Sequence, residues 1–256
     1  CALPIFSPAQ VDHIAWLDSP HAGGLPADAH TALGATLDLG APWPAATNVH
    51  RVPVPLARLA GAWGPSASDD ALVVAIDRGD LPGEPAHLVW GHRRGGRLSL
   101  QGQLAGPGLG ALYATVTRHL GFVNVGDEFK VMGLAPHGGP RLVPALRSLL
   151  TRAPDGPGAG LLLCAPTDAP DSTAWADRMS ARLCELLGPA RAPEAPLTPH
   201  HHDVAHAVQA VYTEALLDTL NQLRARHPAP HPATQPATHL ALGGWCAQNS
   251  AANGQI

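Results

Sequence analysis

The apolar positions of this chain repeat in two rhythms. Ala71-Leu-Val-Val-Ala-Ile76 is an unbroken apolar run closed by Asp77 and then Gly79, the pattern of a buried strand whose carboxyl end opens into a loop. Residues 87–90 and 97–101 flank Arg93-Arg94-Gly95-Gly96 and predict a hairpin with a glycine turn. Over 109–120 the rhythm changes: Leu109, Leu112, Tyr113, Val116 and Leu120 fall near helical spacing, with Gly121 as the C-terminal cap. Residues 140–151 and 173–187 predict two more helices. A longer one over 203–226 carries Val204, Val208, Val211, Leu216, Leu220 and Leu223 on or near one face, and His227-Pro-Ala-Pro-His-Pro ends it. Residues 239–242 are a short strand running into Gly243-Gly244. The Pro-rich stretches 191–199 and 228–236 are loops or surface insertions. Two strand-to-glycine junctions, at Asp77 and at Gly243, are the places where a ligand would meet the sheet.

With 256 residues, 26.4 kDa and 45% hydrophobic content, the chain can bury one large core or two lobes. Charged residues are only 14% and the net charge is -4, with no run of one sign, which argues against nucleic acid as a partner. No apolar stretch approaches the roughly 20 residues of a membrane span, and no leader pattern opens the chain, so no membrane partner and a cytoplasmic location are expected. Cys1, Cys164, Cys184 and Cys246 lie far apart with no C-x-x-C pair, which argues against a zinc knuckle or a disulfide framework. The chain starts at Cys1 without a Met and stops at Ile256 just past Asn253-Gly254. It is therefore read as cut at both ends, with residues 1–6 a non-native scar and 7–256 an incomplete domain.

Lys130 is the one lysine, set between glycines in Gly126-Asp-Glu-Phe-Lys-Val-Met-Gly133 and ahead of Pro136-His-Gly138. Its ammonium suits a phosphate or carboxylate; the plainer reading is a solvated lysine in a loop. In Gly243-Gly-Trp-Cys-Ala-Gln-Asn-Ser-Ala-Ala-Asn253 a strand gives way to paired glycines and a helix, where free N–H groups favour anions and Asn249 and Asn253 add amides. The alternative there is a tight turn followed by a capped helix. His200-His-His202 stands at a helix start, where a polar exposed run is the ordinary outcome rather than a metal site.

These blocks carry a resemblance. Leu109-Gly-Ala-Leu-Tyr113 through Leu120-Gly-Phe122 and Lys130-Val-Met-Gly-Leu-Ala-Pro136 resemble the O-carbamoyltransferases that decorate nodulation factors and antibiotics. So does the segment from Leu240 to Gly254, and His202-Asp-Val-Ala205 with Gln209 does so more weakly. The resemblance implies an α/β chain with a two-lobed actin/sugar-kinase-like ATPase fold, similar to the tRNA-threonylcarbamoylating ATPases and truncated at both ends. It implies that ATP and carbamoyl phosphate yield carbamoyl adenylate, whose carbamoyl group passes to a hydroxyl of a small-molecule acceptor. The adenylate-forming step belongs to a downstream domain, absent here, and a homodimer is left open.

By position, Asp77 and Lys130 resemble the catalytic pair, and Gly79, Gly243, Gly244 and Asn249 the nucleotide-facing turns. A divalent metal is expected of the family, but its two histidine positions fall on Val54 and Arg58, neither of which replaces an imidazole. Arg78 also stands where the family has glycine and crowds the loop that should receive phosphate. The alternative is a catalytically impaired nucleotide-binding or interaction module on the same fold. A sugar or acetate kinase is a third reading, against which the Lys130 block argues.

Overall fold

The computed structural model describes residues 11–18, 28, 31, 44–45, 47–64, 68–79, 86–165, 171–226 and 239–256. The expectations placed on residues 1–6 and on 228–236 lie outside them. Contacts divide the chain into two units, Cys1–Ala57 and Arg58–Ile256. In the first, β1 (His13–Asp18) and β2 (Asn48–Pro53) pair in parallel, His13 opposite Asn48. Neither strand was expected from sequence, and neither was the helix α1 (Val54–Trp63) that follows.

The second unit is built on a four-stranded sheet. β3 (Asp70–Ile76), β4 (Leu88–Arg94) and β5 (Arg97–Leu104) form an antiparallel run, and β8 (His239–Gly243) adds to β3 in parallel, giving the order β5-β4-β3-β8. The Gly95-Gly96 turn closes the hairpin as expected, both residues having positive φ. From Ala71 to Ile76 β3 is buried because both faces of the sheet are covered. Leu72, Val74 and Ile76 join the large core with the helices, while Ala71, Val73 and Ala75 pack with Leu59 of α1, Val89 and Ala241. That two-sided burial is why the run reads as continuous rather than alternating.

On the helical face α2 (Leu109–His119) is almost entirely buried and ends at Leu120 and Gly121, as its cap residue implied. Around it lie α3 (Glu128–Leu134), α5 (Ser172–Leu187) and α6 (Pro199–Arg226), with α4 (Val143–Arg147) packed on α6. α5 buries Trp175, Met179, Leu183 and Leu187, a stripe at strict four-residue spacing; each such side chain contributes about 1.5–3 kcal/mol when fully buried.

Two expectations are corrected. Residues 140–151 are not one helix: a 3-10 turn (Pro140–Leu142) leads to α4, and β6 (Leu150–Arg152) then pairs with β7 (Leu162–Cys164). Pro140 and Pro144 each stand in the first turn of a new element, where a missing N–H costs nothing. Lys130 is not in a loop but on α3, whose start follows Gly126 at φ +91. The described chain is mixed α/β. None of its helices is long and apolar enough to cross a membrane.

Candidate functional site

Because β8 lies parallel to β3, with Gly243 opposite Ala75, both strands leave the sheet at the same edge. The two glycine junctions therefore meet: Asp77 Oδ1 accepts the backbone N–H of Trp245 at 2.8 Å. Gly243 and Gly244 are needed for the approach itself. A Cβ on Gly243 would lie 2.5 Å from Ala62 Cβ, and one on Gly244 2.3 Å from the Ile76 carbonyl oxygen. After this turn a 3-10 segment (Trp245–Gln248) leads to α7 (Ser250–Asn253). Asn249 caps α7 by accepting the Ala252 N–H at 3.0 Å, and Asn253 Nδ2 donates to the Ala247 carbonyl.

Beside this turn lies a cavity of about 210 Å³ walled by α2, α3, α6 and the segment 245–249. Its rim is apolar and open to solvent, with Val125 82%, Phe129 62% and Trp245 52% exposed. Its floor is polar and closed by hydrogen bonds. Tyr113 donates to Gln209 Oε1 (2.9 Å), Asn249 Nδ2 donates to the same oxygen (3.1 Å), and Gln209 Nε2 donates to Asn249 Oδ1 and Thr213 Oγ1. Gln209 thereby joins three of the matching stretches, one on α2, one on α6 and one in the turn, and not the Lys130 stretch. Tyr212 donates to the Cys246 carbonyl at 2.7 Å. Burial, with the Glu128 carboxylate adding to it, pushes the Tyr113 hydroxyl up; burial does the same to Tyr212. Both floor phenols are thus hydrogen-bond donors at neutral pH. Gly110 makes the wall thin: a Cβ there would sit 2.3 Å from Cys246 Sγ and 3.0 Å from Arg78 Cα. The charged groups of the lining are Arg78 and Glu128, paired at 3.7 Å.

The six expected site residues are distributed unevenly around this cavity. Asn249 lines it, but as a 7% exposed amide with both ends bonded within the protein. Asp77, Gly243 and Gly244 form the adjoining turn, and their polar and steric features are used by the protein's own packing. Gly79, at φ +71, is wedged against Gly106 and His87. Lys130 is not among the lining residues. Its Nζ lies 2.7 Å from Asp127 Oδ1 and within 6.0 Å of the Phe122 and Phe129 ring centres. That hydrogen bond is the main reason the Asp127 carboxyl titrates below its usual range, and Asp127 in turn fixes the turn through Asn124. The Asp127-x-x-Lys130 spacing was visible in the sequence and would have suggested this pair. Arg78 and Glu128, fifty positions apart, carried no such local signal as partners.

A divalent metal at Asp77 does not fit the residues present. Arg58, at one of the two expected histidine positions, directs Nε to within 3.5 Å of Asp77 Oδ2 and donates from Nη1 to the Ala86 carbonyl at 2.5 Å. A guanidinium thus already meets the carboxylate, and Val54 offers no donor. Among the described residues no three His, Cys, Asp or Glu side chains converge as a metal would need. The His200–His202 run sits in the first turn of α6, where His200 Nε2 meets the Leu187 carbonyl and His201 Nδ1 accepts the Thr198 N–H.

No family model matches this chain. A protein of the cyanobacterium Synechocystis sp., described as the uncharacterized protein sll1178, is 30% identical to it over 200 residues. The match covers 77% of this chain and 30% of the relative, so the chain spans about a third of the length of that curated relative.

Proposed function

We propose that this chain is part of an O-carbamoyltransferase, and that the cleft beside the Gly243-Gly244 turn holds the adenine nucleotide from which a carbamoyl group passes to a hydroxyl acceptor. One observation carries the reading: three separated sequence blocks that resemble this family meet at the Gln209 hydrogen-bond network on the floor of one cleft. The finer fold, a lobe of a two-lobed ATPase of the actin and sugar-kinase type, belongs to the same reading; the return of β8 beside β3 after the long helical excursion supports it. In the transfer step the acceptor oxygen bonds to the carbamoyl carbon, the bond from that carbon to the adenylate phosphate oxygen breaks, and AMP leaves with the hydroxyl proton released.

The residues divide the work by chemistry. Phe129 and Trp245 offer exposed aromatic faces to a base, and Tyr113 and Tyr212 keep the floor rigid. Asp77 and Lys130 act by positioning, the first holding the Trp245 turn and the second holding Asp127 at the start of α3. The Arg58–Asp77 pair favours a second reading, a catalytically impaired module that binds nucleotide without turnover.

The test is calorimetric titration of ATP, AMP and adenosine into the protein and its Trp245→Ala variant, followed by an assay of ATP-dependent carbamoyl transfer by the gene-complete protein. Loss of one stacked base contact is expected to weaken nucleotide binding about 5- to 20-fold. Absence of nucleotide binding would overturn both readings, and binding without transfer would select the module.

A further inference from the structure

We propose that His13 and His50 form a two-imidazole clamp, across the β1–β2 pair, for a divalent ion of tetragonal preference, copper(II) or nickel(II). The clamp belongs to the first unit alone and stands apart from the nucleotide reading of the cleft. In the strand register His13 lies opposite Asn48 and Ala15 opposite His50, so the two histidines stand diagonally across adjacent strands. Exposure alternates along both strands: His13, Ala15, Asn48 and His50 are exposed, whereas Ile14, Trp16 and Val49 are half-buried. Both imidazoles therefore rise from one open face, and the short side chain of Ala15 lets them meet across it. His13 Nδ1 and His50 Nε2 approach to 2.8 Å, with ring centres 5.1 Å apart and ring planes inclined by 32°.

As neutral imidazoles the two rings hold this distance by sharing one proton, and a metal ion takes that proton's place. Each ring then coordinates through its facing nitrogen and keeps an N–H on the other, so the ring that carried the bridging proton changes tautomer and no net proton is released. The separation selects the geometry. Nitrogens about 2.0 Å from an ion stand roughly 2.8 Å apart at adjacent corners of a square plane, but roughly 3.3 Å apart around a tetrahedral zinc. Imidazole suits copper and nickel, and copper(II) binds most tightly of the first-row divalent ions. The terminal torsion of histidine is broad and both rings are exposed, so each can turn its lone pair toward a common point beside the strands. Water completes the coordination, which makes this an exchangeable surface clamp rather than a closed centre of three or more side chains. A two-stranded sheet is marginal by itself, and an ion held from both strands ties residue 13 to residue 50 and so stabilises their pairing.

Copper(II) titrations of wild type, His13→Gln, His50→Gln and the double variant test this by calorimetry and electron paramagnetic resonance, with metal-free melting curves as a check on folding. The chain has 15 histidines, so the readout is the difference between the proteins rather than binding by wild type alone. Wild type is expected to hold one more tight equivalent than any variant, with the spectrum of two nitrogens in the copper plane. Each single substitution is expected to weaken that equivalent on the order of 100-fold, because one arm of a two-point attachment is lost. The double variant is expected to lose no further tight equivalent than either single variant, since the two rings act as one site. Additive losses would overturn the proposal, because they would report two independent surface imidazoles. A tight equivalent that survives either single substitution, or a wild type that lacks it, would overturn the proposal as well.

Discussion

Gly244→Ala is expected to destabilise the protein by about 3 kcal/mol or more. Gly244 sits at φ 87, ψ 171, a region open essentially to glycine alone, where a side chain costs about 1–3 kcal/mol. A Cβ there would also lie 2.3 Å from the carbonyl oxygen of Ile76, which is backbone at the end of the interior strand β3 and cannot swing aside as a side chain would. At about 2–4 °C per kcal/mol for a chain of this size, the melting midpoint should fall by roughly 6–12 °C. Gly133→Ala is the control. Gly133 lies inside α3, nothing stands within 4 Å of its would-be Cβ, and alanine should stabilise the helix by up to about 1 kcal/mol. A Gly244→Ala protein that melts within a degree of wild type would mean the turn is not built as described.

Acid should weaken the protein through His87 before the carboxylates respond. His87 is 3% exposed, with Nδ1 2.7 Å from the Gly106 carbonyl oxygen and glycines 79 and 108 packed on its side chain. Burial pushes its imidazole down from 6.5 to about 4, against the opposing pull of that hydrogen bond. Between those values the unfolded chain binds a proton that the folded chain refuses. The stability is therefore fully present above the unfolded value and is lost as pH falls toward and through the folded one. From pH 7 to 4.5 the loss from this group should be about 2–3 kcal/mol. Burial lowers His119 too, with His200 and His201 adding to it, so total acid sensitivity exceeds the share of His87. Denaturant unfolding of wild type and His87→Gln at pH 7 and 4.5 isolates that share. Equal losses in the two proteins would rule His87 out.

What could be read from the sequence was what local periodicity encodes. The Ala71–Ile76 run, the Gly95-Gly96 hairpin, α2, α5 and α6 each carry their own rhythm, and each formed. β6 and β7 did not show because three residues each are too few to carry a rhythm, and β1 and β2 did not because their parallel pairing joins distant stretches, His13 with Asn48. At the site, the two glycine junctions were legible as strand ends, whereas their meeting through Asp77 and Trp245 needed the parallel register of β8. The close approach of Ala62 and Ile76 that Gly243 and Gly244 permit could not be read from the sequence. Gln209 was visible only as a weak block match, since its four bonds depend on three elements arriving together.

The placement of β8 also dictates the order of assembly. Asp77 and Trp245 are 168 residues apart, so bringing them together closes a loop whose entropic cost exceeds that of a ten-residue loop by roughly 2–3 kcal/mol. The β3–β4–β5 run needs only nearby chain, whereas docking β8 meets that larger closure cost unless the intervening helices have already shortened the path. Until then one edge of β3 is an unpaired template for other chains. The cleft is consequently among the last features to form, and ligand binding there reports completed folding of the second unit rather than of any single segment.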